Sequence, residues 1–117
     1  DKNTLDDDII NLASYRHLWG QEVGEPLVML QFTFKEENVA LLGKGTLKLS
    51  IPGTKTTCIQ FGYGEEEYFN LRTLFAQGEG LNIQIVGYCR INEWNGNCSP
   101  QIEIKDFSVE RIVGYDF

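Results

Sequence analysis

A chain of 117 residues with 42% hydrophobic content fits one globular domain with its own core, which excludes a disordered chain and a stapled miniprotein. No apolar run nears the roughly 20 residues that a membrane-spanning helix needs. The net charge of −7 argues against a strong general nucleic-acid binder, which is usually basic.

That charge is unevenly spread. Residues 1–37 carry eight acids and three bases, whereas 38–64 carry no acid and three lysines, Lys44, Lys48 and Lys55. Residues 65–89 hold four acids against one base, and 90–117 hold five against three. One locally positive stretch therefore lies in an acidic chain, and it gains meaning only if it falls on a binding surface. The odd set Cys58, Cys89 and Cys98 suits a reducing compartment. With no basic-then-apolar leader, the expectation is a cytoplasmic protein. The first residue is Asp1 and the sole methionine is Met29, which sets the expectation of a fragment from a longer chain. No C-x-x-C pair occurs and His17 lies far from every cysteine, so a zinc site is not expected.

In chain order, Leu5, Ile9, Leu12 and Leu18 recur at near-helical spacing, and Thr4 with Asp7 resembles a capping box. This predicts a helix over 4–18. Asp6, Asp7 and Asp8 fall in its first turn, where the helix dipole favours negative charge. They could also be read as a metal cluster, the less favoured alternative. Gly20, Gly24 and Pro26 mark a connector, so residues 1–24 form an N-terminal helix and connector and 25–117 the main domain.

Residues 27–42 are apolar and β-prone but broken by Lys35-Glu36-Glu37-Asn38, which predicts a long first strand bent near Glu36. Gly43-Lys44-Gly45 is a turn that could also hold a phosphate. Leu47, Leu49 and Ile51 alternate with polar residues in a second strand. After the Pro52-Gly53 turn, Ile59 and Phe61 alternate with Cys58 and Gln60 in a third. This phase points Lys48 and Gln60 outward.

The period then changes. Tyr68, Leu71, Leu74 and Phe75 line one face of a helix over 65–77, with Glu65, Glu66 and Glu67 at its start and Gly78 and Gly80 beyond its end. Leu81, Ile83, Ile85, Cys89 and Ile91 return to period 2. Asn95-Gly96 is a strong hairpin turn, and Ile102 and Ile104 lie on the fifth strand, whose phase slips at Asp106 before Phe107 and Val109. The order is helix, then β-β-β-α-β-β. A mainly β, five-stranded OB-fold barrel follows, with a helix between strands 3 and 4 and an N-terminal helix. A generic α+β sheet competes with it.

The segment from Ile91 to Asp106, INEWNGNCSPQIEIKD, resembles the I-N-E-[WF]-N-G-x-x-x-x-Q-[IL]-x-[IV]-x-D signature of the C-terminal OB domain of RecJ single-stranded-DNA exonucleases. Gly24-Glu25-Pro26-Leu27 resembles the point where that family enters its barrel. The likeness covers roughly residues 20–110. It implies an accessory domain that holds single-stranded DNA for the catalytic lobes of a parent nuclease acting in DNA repair and recombination. An acidic interaction module that docks a partner or the parent's core is the alternative.

The RecJ-type reaction needs several Asp and His ligands around magnesium or manganese. The resemblance places those metals in lobes outside this chain, so the fragment itself is not expected to be an enzyme. The expected nucleic-acid site is a strip of Lys44, Lys48, Lys55, Gln60 and Arg90, with Trp94 and Asn95 at one end. Phosphate contacts there would hold a strand without reading its sequence. Trp94 has two readings, a base-stacking aromatic at the loop mouth or a plug in the barrel. Tyr63 and Tyr88 read as core or rim residues.

Overall fold

The computed structural model describes residues 4–14, 27–43, 45–62, 64–76 and 80–111, with only the backbone at 14, 94 and 111. Helix α1 (Leu5–Ser14) comes first, and then strand β1 (Val28–Phe34). A 3-10 turn (Glu36–Asn38) separates β1 from β2 (Val39–Leu42). Strands β3 (Thr46–Ser50) and β4 (Thr57–Gln60) lead to helix α2 (Gly64–Phe75). The long strands β5 (Leu81–Trp94) and β6 (Asn97–Arg111) follow. The expected end of α1 at 15–18, the connector with Gly20, Gly24 and Pro26, and also His17 and Gly78 lie outside the described residues.

The sheet runs β1-β5-β6-β4-β3-β2. Among the described residues it has six strands and its ladder does not close, which corrects the expected five-stranded barrel. The break is local. Lys35 donates its backbone N–H to the Asn38 side chain at 2.8 Å, and Asn38 N–H bonds the Lys35 carbonyl at 2.9 Å. This tight turn satisfies its own polar groups and takes the charged run out of the ladder. The expected long first strand becomes β1 and β2, the two opposite edges of one sheet. Both edges therefore belong to one short stretch of chain. The first strand does pair with the strand after α2, as a barrel of this order requires, from Val28↔Gly87 to Phe34↔Leu81.

The core follows the alternation. Phe34, Leu47, Leu49, Leu81, Ile83, Ile85 and Ile102 are almost wholly enclosed, and each fully buried aliphatic side chain contributes roughly 1.5–3 kcal/mol of transfer free energy. Leu5 and Ile9 bring α1 into this core, and Leu71 and Phe75 bring α2. Asp6 ties α1 to the β3–β4 turn. Its carboxylate accepts the Lys55 N–H at 3.1 and 2.9 Å and the Thr56 hydroxyl. Arg72 on α2 meets Glu36 of the 3-10 turn at 3.4 Å.

The slip expected at Asp106 is a β-bulge. Val86 faces Asp106, but Gly87 faces Ile104, so Lys105 is the extra residue. Gly87 sits where the bulge draws the backbones together, and a Cβ there would lie 2.3 Å from the Glu103 carbonyl oxygen. Gly87→Ala is expected to cost on the order of 1–3 kcal/mol by overpacking. It should lower the urea midpoint at an unchanged slope, and an unchanged midpoint would contradict this packing.

Burial separates the thiols. Cys58 and Cys89 are buried and Cys98 is exposed. Burial pushes the Cys58 thiol up to about 12 from its ordinary 9.0, so it stays protonated and unreactive. A disulfide reagent should label Cys98 at once and the other two only on unfolding. The unfolded chain ionises Cys58 from pH 9, so its contribution to stability is complete below that pH and is lost as pH rises toward 12. Cys58→Val should flatten this alkaline loss, and equal alkaline slopes for the two proteins would contradict the assignment.

Candidate nucleic-acid interface

The alternation that buries Leu47 and Leu49 turns Thr46, Lys48 and Ser50 to the opposite, outer face of β3. Directly opposed residues share a face. Lys48 pairs with Ala40 on β2 and Ile59 on β4. Ile59 pairs with Glu103 on β6, and Glu103 with Tyr88 on β5. One row of the outer face is thus Ala40, Lys48, Ile59, Glu103 and Tyr88. The next row is Ser50, Thr57, Gln101 and Arg90.

This register corrects the phase expected for β4. Leu47 opposes Gln60 and Leu49 opposes Cys58, so Gln60 and Cys58 face inward and Ile59 faces outward. Cysteine behaves as a small hydrophobe, and Cys58 is fully enclosed between strands. Reading it as the polar partner of Ile59 inverted the strand. Gln60 therefore leaves the proposed strip, and its Oε1 is buried with no hydrogen-bond partner among the described residues.

The other expected site residues are spread over the surface. Lys48 is half-buried near the middle of the outer face. Arg90 lies on the same face two strands beyond β4. Its Nε donates to Glu103 Oε1 at 3.1 Å and its Nη1 to the Cys89 carbonyl at 3.0 Å. Its guanidinium stands 5.2 Å from the centre of the Tyr88 ring, so Tyr88 is a support for Arg90 on the outer face. Lys55 is exposed in the β3–β4 turn, at the end of the sheet toward which the β5–β6 hairpin projects. Asn95 caps that hairpin. With φ of 51° at Asn95 and 79° at Gly96, the pair supplies the left-handed conformations that a type I′ turn requires. Lys44, the Trp94 side chain and Tyr63 lie outside the described residues, so the two readings of Trp94 both stand.

Two outward residues were missed. Phe61 follows β4 one period beyond Ile59 and is 65% exposed. The corrected phase of β4 explains why. Lys105 is exposed beside Asp106, and the alternation that buries Ile102 and Ile104 already turns Gln101, Glu103 and Lys105 outward, so the period of the strand was the available signal. The outer face thus carries Lys48, Lys105 and Arg90 together with the acids Glu103, beside Arg90, and Asp106, beside Lys105, and exposed Phe61 stands just beyond β4.

Among the described residues no group of three or more His, Cys, Asp or Glu side chains could hold an ion. Asp6 of the acidic first turn is occupied by Lys55 and Thr56.

A six-stranded sheet with these connections and an added N-terminal helix defines a mainly β, OB-like domain. A family model described as the RecJ OB domain matches residues 2–106, and the chain belongs to that family. It is 32% identical, over an alignment of 111 residues that covers 88% of the chain, to YorK of Bacillus subtilis (strain 168), an SPbeta prophage-derived protein assigned as a single-strand DNA-specific exonuclease. The yorK protein of Bacillus phage SPbeta, with the same assignment, matches to the same extent. The chain spans 18% of the length of each of these relatives. Among the described residues no helix is long and apolar enough to cross a membrane.

Proposed function

We propose that this chain is the single-strand-binding accessory domain of a RecJ-like, metal-dependent DNA exonuclease. The observation that carries the reading is Phe61, an aromatic 65% exposed at the end of β4. It stands immediately after β4, whose Ile59 shares the outer face with Lys48 of the adjacent strand. In OB folds the corresponding strands receive oligonucleotides. The ligand is single-stranded DNA, bound weakly because a net charge of −7 opposes it at long range. The rest of the parent supplies the magnesium or manganese site, and the domain feeds it a strand during repair and recombination in the cytoplasm. Lys44 and Trp94 belong to this surface in the proposal, at the β2–β3 turn and the β5–β6 hairpin respectively.

The test is an oligo-dT titration at low and physiological salt. Phe61→Ala should weaken binding by about 1–3 kcal/mol if a base stacks on the ring. Lys48→Ala should lower the salt slope by roughly 0.7, the value of one phosphate contact on a single strand. Affinities that ignore both substitutions would move the site off this face. A second reading has the acidic surface dock a basic partner or the parent's own core. It is favoured by the exposed Asp7, Asp8, Glu65 and Glu66 at the starts of the two helices. It requires no oligonucleotide signal at any protein concentration.

The proposal also assigns no catalysis to these 117 residues. With magnesium or manganese, the pure chain should leave a labelled oligonucleotide at full length. Shortening that disappears in Asp7→Ala, Asp8→Ala protein would place a metal site in α1 and sink that part of the reading.

A further inference from the structure

Glu103 is the only acid among the described residues in the two outer rows that carry Lys48 and Arg90. It is flanked on β4 by Ile59 and on β5 by Tyr88. Lys48 is two strands away, about 10 Å at ordinary strand spacing, and Lys105 lies two residues along β6. The Glu103 carboxylate bonds Arg90 Nε at 3.1 Å, with the Glu103 side chain 45% exposed and the Arg90 side chain 16% exposed. Arg90 is also held from below by Tyr88 and from one side by the Cys89 carbonyl. The guanidinium is thus built in place with a carboxylate on its donors.

An arginine fork accepts a carboxylate or a phosphate with the same geometry. We infer that Glu103 is the residue that sets the affinity of this face, by competing with backbone phosphate for Arg90. The inference rests on the single-strand reading given above. An arriving phosphate displaces the carboxylate into solvent, which its exposure permits. As the phosphate leaves, Glu103 returns and the site closes without leaving a cation unpaired. The consequence is a grip that exchanges readily, as a strand advancing toward a nuclease site requires. The positive strip stays weak because it holds its own counter-ion.

The experiment measures oligo-dT affinity and its salt dependence for wild type, Glu103→Gln, Arg90→Ala and the double variant. Glu103→Gln should bind about two- to five-fold tighter, the worth of releasing one exposed ion pair. Its salt slope should stay near the wild-type value because a phosphate reaches Arg90 in both, whereas Arg90→Ala should lower it by roughly 0.7. The double variant should match Arg90→Ala in both respects. Glu103→Thr, a strand-favouring residue, should reproduce the gain of Glu103→Gln, which guards against an effect of folding. If Lys48→Ala and Phe61→Ala weaken binding but neither Glu103 variant strengthens it, the competition is overturned and the binding face stands. A gain that persists in full without Arg90 also overturns it, because the effect would then be general repulsion. No binding by any protein, wild type included, overturns the single-strand reading itself.

Discussion

Three residues of β4, Thr57 to Ile59, run parallel to Gln101–Glu103 of β6, and through them two antiparallel units become one sheet. On one side is the meander β2–β3–β4, on the other β1–β5–β6. Parallel pairing of so few residues is weak in itself. It is held because Cys58 and Ile102 meet on the inner side, both fully enclosed. A shift of one residue would carry the polar outer row into the core. The same seam brings Ile59 and Glu103 side by side on the outer surface and so decides which charges share a face.

The segment that most resembles the RecJ family is chiefly a structural device. Asn95 and Gly96 supply the turn, Ile102 and Ile104 enter the core, and the Asp106 carboxylate accepts the Phe107 N–H at 2.8 Å beside the bulge. Each of these residues shapes the β5–β6 hairpin. Several residues that suit a ligand lie elsewhere, Lys48 on β3, Phe61 after β4 and Arg90 just before the segment. Membership of the family therefore identifies the scaffold more firmly than it identifies the contacts, as expected when function is carried by sites grafted on a fold. The charge balance points the same way. A chain with 17 acids and 10 bases can attract a nucleic-acid strand only through local surface arrangement.

Periodicity by itself determined much about this protein. The two helices, the alternating strands, the Asn95-Gly96 turn and the break at Glu36 were all legible, because each depends on neighbours a few residues apart. The slip at Asp106 was legible too. What only the tertiary structure decided were relations between distant segments. The open six-stranded sheet arose because the 3-10 turn at 36–38 satisfies its own hydrogen bonds and leaves the ladder. Gln60 turned inward and Phe61 outward because a strand four residues long has too little pattern to set its own phase, so its partners Leu47 and Ile102 set it. Arg90 read as a positive contact from sequence, but its pairing with Glu103 depends on a cross-strand register 13 residues apart, which no local pattern specifies.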